Sequence, residues 1–221
     1  MNGDGKGAFV VGCFQGYLHF LTQGADGTFS KEEYIKDEKG EYMHFGQFWD
    51  IPGKKWATVE VVKGFDPGIG LYPKVIDFDG DGDKDLLVGT RKGMVAYKEN
   101  VGTPQAPKFS SKTELLLVDG KPINFGFHAS VDIADLDGDG LKELVVVSPD
   151  KGAVLFKHDA EKKGVHFKEM GAVANSAALK FKYPCVSLVD MNADGKMDIV
   201  VNSGRDWKTK TPFSNYIFHG K

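Results

Sequence analysis

An acidic loop that recurs in register constrains this chain more than any other feature. Three clear copies read Asp77-Phe-Asp79-Gly-Asp81-Gly-Asp83-Lys-Asp85, Asp135-Leu-Asp137-Gly-Asp139-Gly-Leu141-Lys-Glu143 and Asp190-Met-Asn192-Ala-Asp194-Gly-Lys196-Met-Asp198. A fourth copy at the start, Asn2-Gly-Asp4-Gly-Lys6-Gly-Ala8, lacks the first position and carries Ala8 at the ninth. The clear copies recur roughly every 55 residues, which is long for a helical solenoid and suits a propeller blade with generous loops. The 28 glycines, nearly twice the ordinary share, belong to the same turn-rich pattern.

Each copy has the same surroundings. A short apolar run precedes the loop, at 72–76, 130–134 and 184–189, and another follows it, as at 86–89 and 144–147. A glycine turn and an alternating run come next, as in Met94-Val-Ala-Tyr97 and Ala153-Val-Leu-Phe156, then a connector and a weaker fourth run. Short apolar and β-branched runs bounded by turn residues are strand signals, and no 3.6-residue period is sustained. Four strands per repeat predict an all-β chain, a β-propeller of four-stranded blades. About three and a half to four blades are expected, at approximately 1–70, 71–126, 127–182 and 183–221.

Oxygen ligands at positions 1, 3 and 5, a backbone carbonyl at 7 and a carboxylate at 9 describe a site for a hard cation. Calcium accepts such a set more readily than magnesium, which demands a stricter octahedron. An EF-hand would need Glu at position 12, where Val88 and Val146 stand. A single Asp-x-Asp-Gly is an ordinary turn. Three registered copies, each closed by a carboxylate, instead concentrate like charges that a cation would relieve. Asn192 and Ala193 make the last loop weaker in charge, and the N-terminal copy is expected to hold no ion.

These loops resemble the VCBS/FG-GAP repeats of integrin-type β-propellers and of many bacterial extracellular proteins. The fullest match runs from Pro73-Lys-Val-Ile-Asp77 to Asn100-Val-Gly-Thr-Pro-Gln-Ala-Pro-Lys-Phe109. The resemblance implies that the acidic loop joins the first two strands of each blade and binds calcium on one face of the disc, about three ions in all. It implies ligands Asp77, Asp79, Asp81 and Asp85; Asp135, Asp137, Asp139 and Glu143; and Asp190, Asn192, Asp194 and Asp198. Asp83, Leu141 and Lys196 at position 7 would lend only backbone oxygen. It also implies an extracellular or periplasmic location, although Met1 to Gly7 has neither the basic start nor the apolar stretch of a signal peptide.

The chain opens inside an acidic loop and stops near the third strand of its last repeat. An open arc of blades would expose strand edges, so a homodimer that completes a ring is expected, or membership of a longer propeller chain. The net charge of -3 argues against nucleic acid as the partner, and no apolar run approaches the length of a membrane span.

Function is expected on the face opposite the loops, where the sequence is irregular. All three tryptophans, Trp49, Trp56 and Trp207, lie in two long connecting segments, the last beside Arg205. Aromatic faces beside charged groups serve carbohydrate or protein recognition, although Trp49 and Trp56 could equally be packing over blade edges. A polysaccharide-cleaving lyase is the alternative, with His44 or His128 as the conceivable base. No nucleophile elbow, phosphate loop or zinc helix motif appears, so a non-enzymatic module is favoured. Cys13 and Cys185 read as buried free thiols.

Overall fold

The computed structural model describes residues 7–162, 164–173, 176, 181–204 and 214–220. The described residues form strands and no helix, and so no helix long and apolar enough to cross a membrane. The chain divides into two compact units, the first reaching Arg91 and taking up Val95–Leu115, the second comprising Lys92–Met94 and the chain from Leu116.

The first unit holds three sheets. Strands β1 (Ala8–Gly12), β2 (Leu18–Thr22) and β3 (Glu33–Tyr34) lie in sequence order, and β4 (Gln47–Asp50) pairs with β5 (Lys55–Thr58) as a hairpin. Strands β6 (Tyr72–Ile76), β7 (Asp85–Gly89), β8 (Val95–Lys98) and β9 (Glu114–Leu115) form an antiparallel meander in order, the form of a propeller blade. Strand β7 is buried along its whole length, so it reads as a continuous apolar run rather than an alternating one. At the contact of β1 with β6, a Cβ on Gly12 would collide with the backbone of Leu71, so this position has no room for a side chain.

The second unit repeats the blade with an addition. Strands β10 (Leu117–Val118), β11 (Lys121–Pro122), β12 (Ser130–Ala134), β13 (Glu143–Ser148), β14 (Gly152–His158) and β15 (His166–Ala172) form one sheet in the order β11-β10-β15-β14-β13-β12. The meander β12 to β15 is antiparallel, whereas β10 joins the outer edge of β15 in parallel, with Leu117 opposite His166. Strands β16 (Cys185–Val189), β17 (Asp198–Ser203) and β18 (Ser214–Phe218) form the unit's second sheet, antiparallel throughout.

Side chains of β12 satisfy the neighbouring strand β16. Ser130 Oγ accepts the N–H of Val186 at 3.0 Å and Asp132 Oδ2 accepts that of Leu188 at 2.9 Å. Between these sheets lies a core of Val145, Val147, Val173, Phe181, Val186 and Val201, which fixes β13 and β17 against one another. One expectation fails here. Cys185 is exposed, because the alternation of β16 sends Val186 into that core and turns Cys185 outward; Cys13 is half-buried.

Candidate metal centre

All three acidic loops span the same junction: 77–85 joins β6 to β7, 135–143 joins β12 to β13, and 190–198 joins β16 to β17. The chain can turn this tightly because Gly80, Gly82, Gly138, Gly140 and Gly195 have positive φ, and Ala193 is forced into the same region at +59°. Asx turns fix the carboxylates of each loop. In the first, Asp77 Oδ1 accepts from Gly80 N–H, Asp79 Oδ1 from Asp81 and Asp81 Oδ1 from Asp83. The second loop repeats these bonds through Asp135, Asp137 and Asp139; the third repeats the latter two through Asn192 and Asp194, while Asp190 Oδ1 accepts from Asp194 N–H, one residue further on.

Position 9 is a second shared device. Its carboxylate reaches back to the backbone N–H of position 2: Asp85 to Phe78 at 3.0 Å, Glu143 to Leu136 at 2.7 Å and Asp198 to Met191 at 3.0 Å. The nine-residue spacing therefore closes each loop into a ring, with its acids drawn to one side. Oxygens of Asp77, Asp79 and Asp81 lie within 4.8 Å of one another, as do those of Asp135, Asp137 and Glu143.

The electrostatics differ between loops. Burial pushes the Asp85 carboxyl up to about 6, against the pull of the Asn100 and Phe78 N–H groups. Asp83 is buried and also raised, by burial and then by the charges of Asp81 and Asp79. Asp83 Oδ1 is enclosed without a hydrogen bond of normal geometry. Such a cluster of hard oxygen donors fits a calcium ion, which would relieve the repulsion. In the third loop the Gly220 N–H, ahead of other causes, lowers Asp198, and Asn192 Nδ2 donates to Asp194 Oδ2 at 3.0 Å.

The second loop has a feature the sequence reading missed. Lys157 Nζ lies 2.6 Å from Asp137 Oδ2, 2.7 Å from Asp139 Oδ2 and 2.9 Å from Glu143 Oε1. These partners hold the ammonium above the ordinary lysine range and the Asp139 carboxyl below the ordinary carboxylate range. The lysine is distant in sequence, and only the register of β13 with β14 brings it opposite Glu143.

The aromatic residues form their own group in the first unit. Trp49 and Trp56 face each other across β4 and β5, ring centroids 5.4 Å apart, and Trp56 is 44% exposed. Phe14 meets Trp56 edge-on at 6.4 Å, with the Arg91 guanidinium 5.1 Å over the Phe14 ring. Behind them stands Tyr17, buried against Tyr34, Tyr42, His44 and Phe48, its hydroxyl donating to the Trp49 carbonyl at 2.8 Å. His44 is stacked 3.6 Å from Phe48, and burial lowers its pKa. His128 packs against Phe127 and Tyr183. Arg205, Trp207 and the acidic positions of the N-terminal copy lie outside the described residues.

Ring-closed acidic loops at one strand junction, repeated on blade-like antiparallel sheets, define an all-β repeat protein of the propeller class. Residues 77–146 and 135–201 match the FG-GAP-like repeat, and the chain belongs to that family. Integrin alpha pat-2 of Caenorhabditis elegans is 26% identical over 167 residues, covering 65% of this chain, and its Caenorhabditis briggsae counterpart is 25% identical over the same share. The chain spans only 13% of the length of either relative. A periplasmic gluconolactonase of Pseudomonas aeruginosa aligns over all of this chain and 72% of its own, at a TM-score of 0.38 and 14% identity.

Proposed function

We propose that this chain is a calcium-stabilised β-propeller module that binds carbohydrate or protein. The carrying observation is the loop scaffold repeated three times, with a position-9 carboxylate bonded to the position-2 N–H, and carboxylate oxygens gathered within 4.8 Å in the first two loops. Calcium would supply the positive charge that lets these acids stay close, and so tie the first two strands of each repeat together. Asp77, Asp79, Asp81 and Asp85, their counterparts in the other loops, and the backbone oxygens of Asp83, Leu141 and Lys196 would hold it. Folding would then be linked to free calcium by mass action.

The ligand surface in this reading is the hairpin of Trp49 and Trp56, with Phe14 and Arg91 beside it. A rigid, partly exposed ring next to a guanidinium suits a sugar face or an extended peptide. Similarity to integrin alpha chains supports an extracellular setting. The binding reading is preferred to the lyase alternative because both conceivable bases stand among aromatic rings, His44 on Phe48 and His128 on Phe127 and Tyr183.

Two measurements test the proposal. Removing calcium with EGTA should lower the melting temperature by several degrees, and unchanged melting would sink the stabilising role. A glycan array and a peptide library probed with wild type and Trp56→Ala should show binding that the variant loses while its melting stays the same. Equal binding by both would move the ligand surface elsewhere.

A further inference from the structure

We infer that Lys157 is a tethered cation built into the loop 135–143, where it offsets part of the charge of four carboxylates and must be displaced before calcium can enter this repeat. The inference rests on the calcium reading of the loops and divides them into two kinds. Lys157 Nζ contacts carboxylates at positions 3, 5 and 9, three of the side-chain donors the loop could offer a metal. The ammonium donates to Asp137 Oδ2 and lies at ion-pair distance from Asp139 Oδ2 and from Glu143 Oε1. The pair with Glu143 is the enclosed one, its side chain 4% exposed and that of Lys157 18%, while Asp137 and Asp139 face solvent.

The same register position distinguishes the three repeats. Lys157 stands directly opposite Glu143, the ninth position of its loop. In the first blade, one step beyond the pair Leu86 and Lys98, the residue opposite Asp85 is Glu99, a further acid. In the sheet of β16 to β18, one step beyond Ile199 and Phe218, it is His219, whose Nδ1 is 3.2 Å from Asp198 Oδ1. Loops of nearly one sequence thus have an acid, a lysine and a histidine at the register position opposite their ninth residue.

The consequence is a graded response to calcium. An ion entering the second loop must first displace Lys157 from three ion pairs. At low calcium the second loop keeps its shape through those pairs.

Calcium titration of the full chain by calorimetry, with melting in EGTA, tests this on wild type, Lys157→Met and Lys157→Arg. Lys157→Met should tighten the weakest calcium-binding event roughly tenfold or more, because charged hydrogen bonds no longer compete with the ion. In EGTA the same variant should melt below wild type, and Lys157→Arg, which keeps the charge, should restore most of the loss. Glu99→Gln should not tighten that weakest event. Unchanged affinities in Lys157→Met, or unchanged melting in EGTA, would overturn the tethered cation. Absence of calcium binding in every protein would overturn the calcium reading itself, with the EGTA melting still reporting on Lys157.

Discussion

The Asp85 carboxylate accepts the backbone N–H of Asn100 at 2.7 Å through Oδ1 while its Oδ2 holds Phe78, so one side chain fastens the loop to the end of β8. Both donors are buried, and truncation would strand them. Asp85→Ala should cost about 2–4 kcal/mol in urea denaturation with EGTA present, and Asp85→Asn, which keeps one acceptor, roughly half as much. Equal losses in the two variants would mean that charge rather than hydrogen bonding is what Asp85 supplies.

Lys98 gives a pH dependence whose sign can be worked out. It is 3% exposed, donates to the carbonyls of Ser110 and Ser111, and burial lowers its pKa from 10.5 to about 8. Below pH 8 the folded and unfolded chains both carry the proton. Between about 8 and 10.5 the unfolded chain keeps a proton the folded chain has lost, so stability rises with pH across that window. Thermal melts from pH 7 to 10 should show the rise in wild type and a flatter profile in Lys98→Met. Identical slopes would remove Lys98 as the cause.

Much of this was readable from the residues alone, and the failures have a common physical origin. Loop spacing and the apolar runs beside it revealed β6, β7, β12 and β13, because both signals are local in sequence. Lys157 was invisible, since its role depends on which residue of β14 faces Glu143, and register is a property of paired strands. The segment around Trp49 and Trp56 was read as an irregular connector, yet it is a hairpin with the two rings in register. Pro52 and Gly53 between flanking aromatics were the signal that could have found it. Tyr17 gave no such signal, because its neighbours are scattered from Tyr34 to Phe48.

Tyr17 should prove structural. Tyr17→Phe keeps the ring and deletes only the donor to the Trp49 carbonyl, so stability should fall by about 1 kcal/mol in urea denaturation. Tyr17→Ala, which also empties a buried aromatic site, should cost about 3–5 kcal/mol. A silent Tyr17→Ala would contradict the packing described for the hairpin.

Two glycines of the second unit separate conformational strain from collision. Gly93 has φ +81° and its carbonyl accepts the N–H of Phe125 at 2.8 Å; a Cβ there would run into the backbone of Gly126. Gly120 has φ +73° with open space around it. Gly120→Ala should therefore cost about 1 kcal/mol, the left-handed penalty alone, and Gly93→Ala clearly more. Equal losses in chemical denaturation would mean that the backbone at Gly93 yields freely.

The parallel seam of β10 on β15 gives this sheet a history as well as a shape. Its sealing strand is made early, at Leu117–Val118, and the edge it seals is made late, at His166–Ala172. During synthesis β10 has only the short β11 beside it until β12 to β15 have emerged behind it, and the closing step spans nearly the whole sheet. Such non-local closure slows folding and makes completion of the sheet all-or-none. Once made, the seam covers the β15 edge at His166 and Phe167, which would otherwise be free to recruit a strand from another chain.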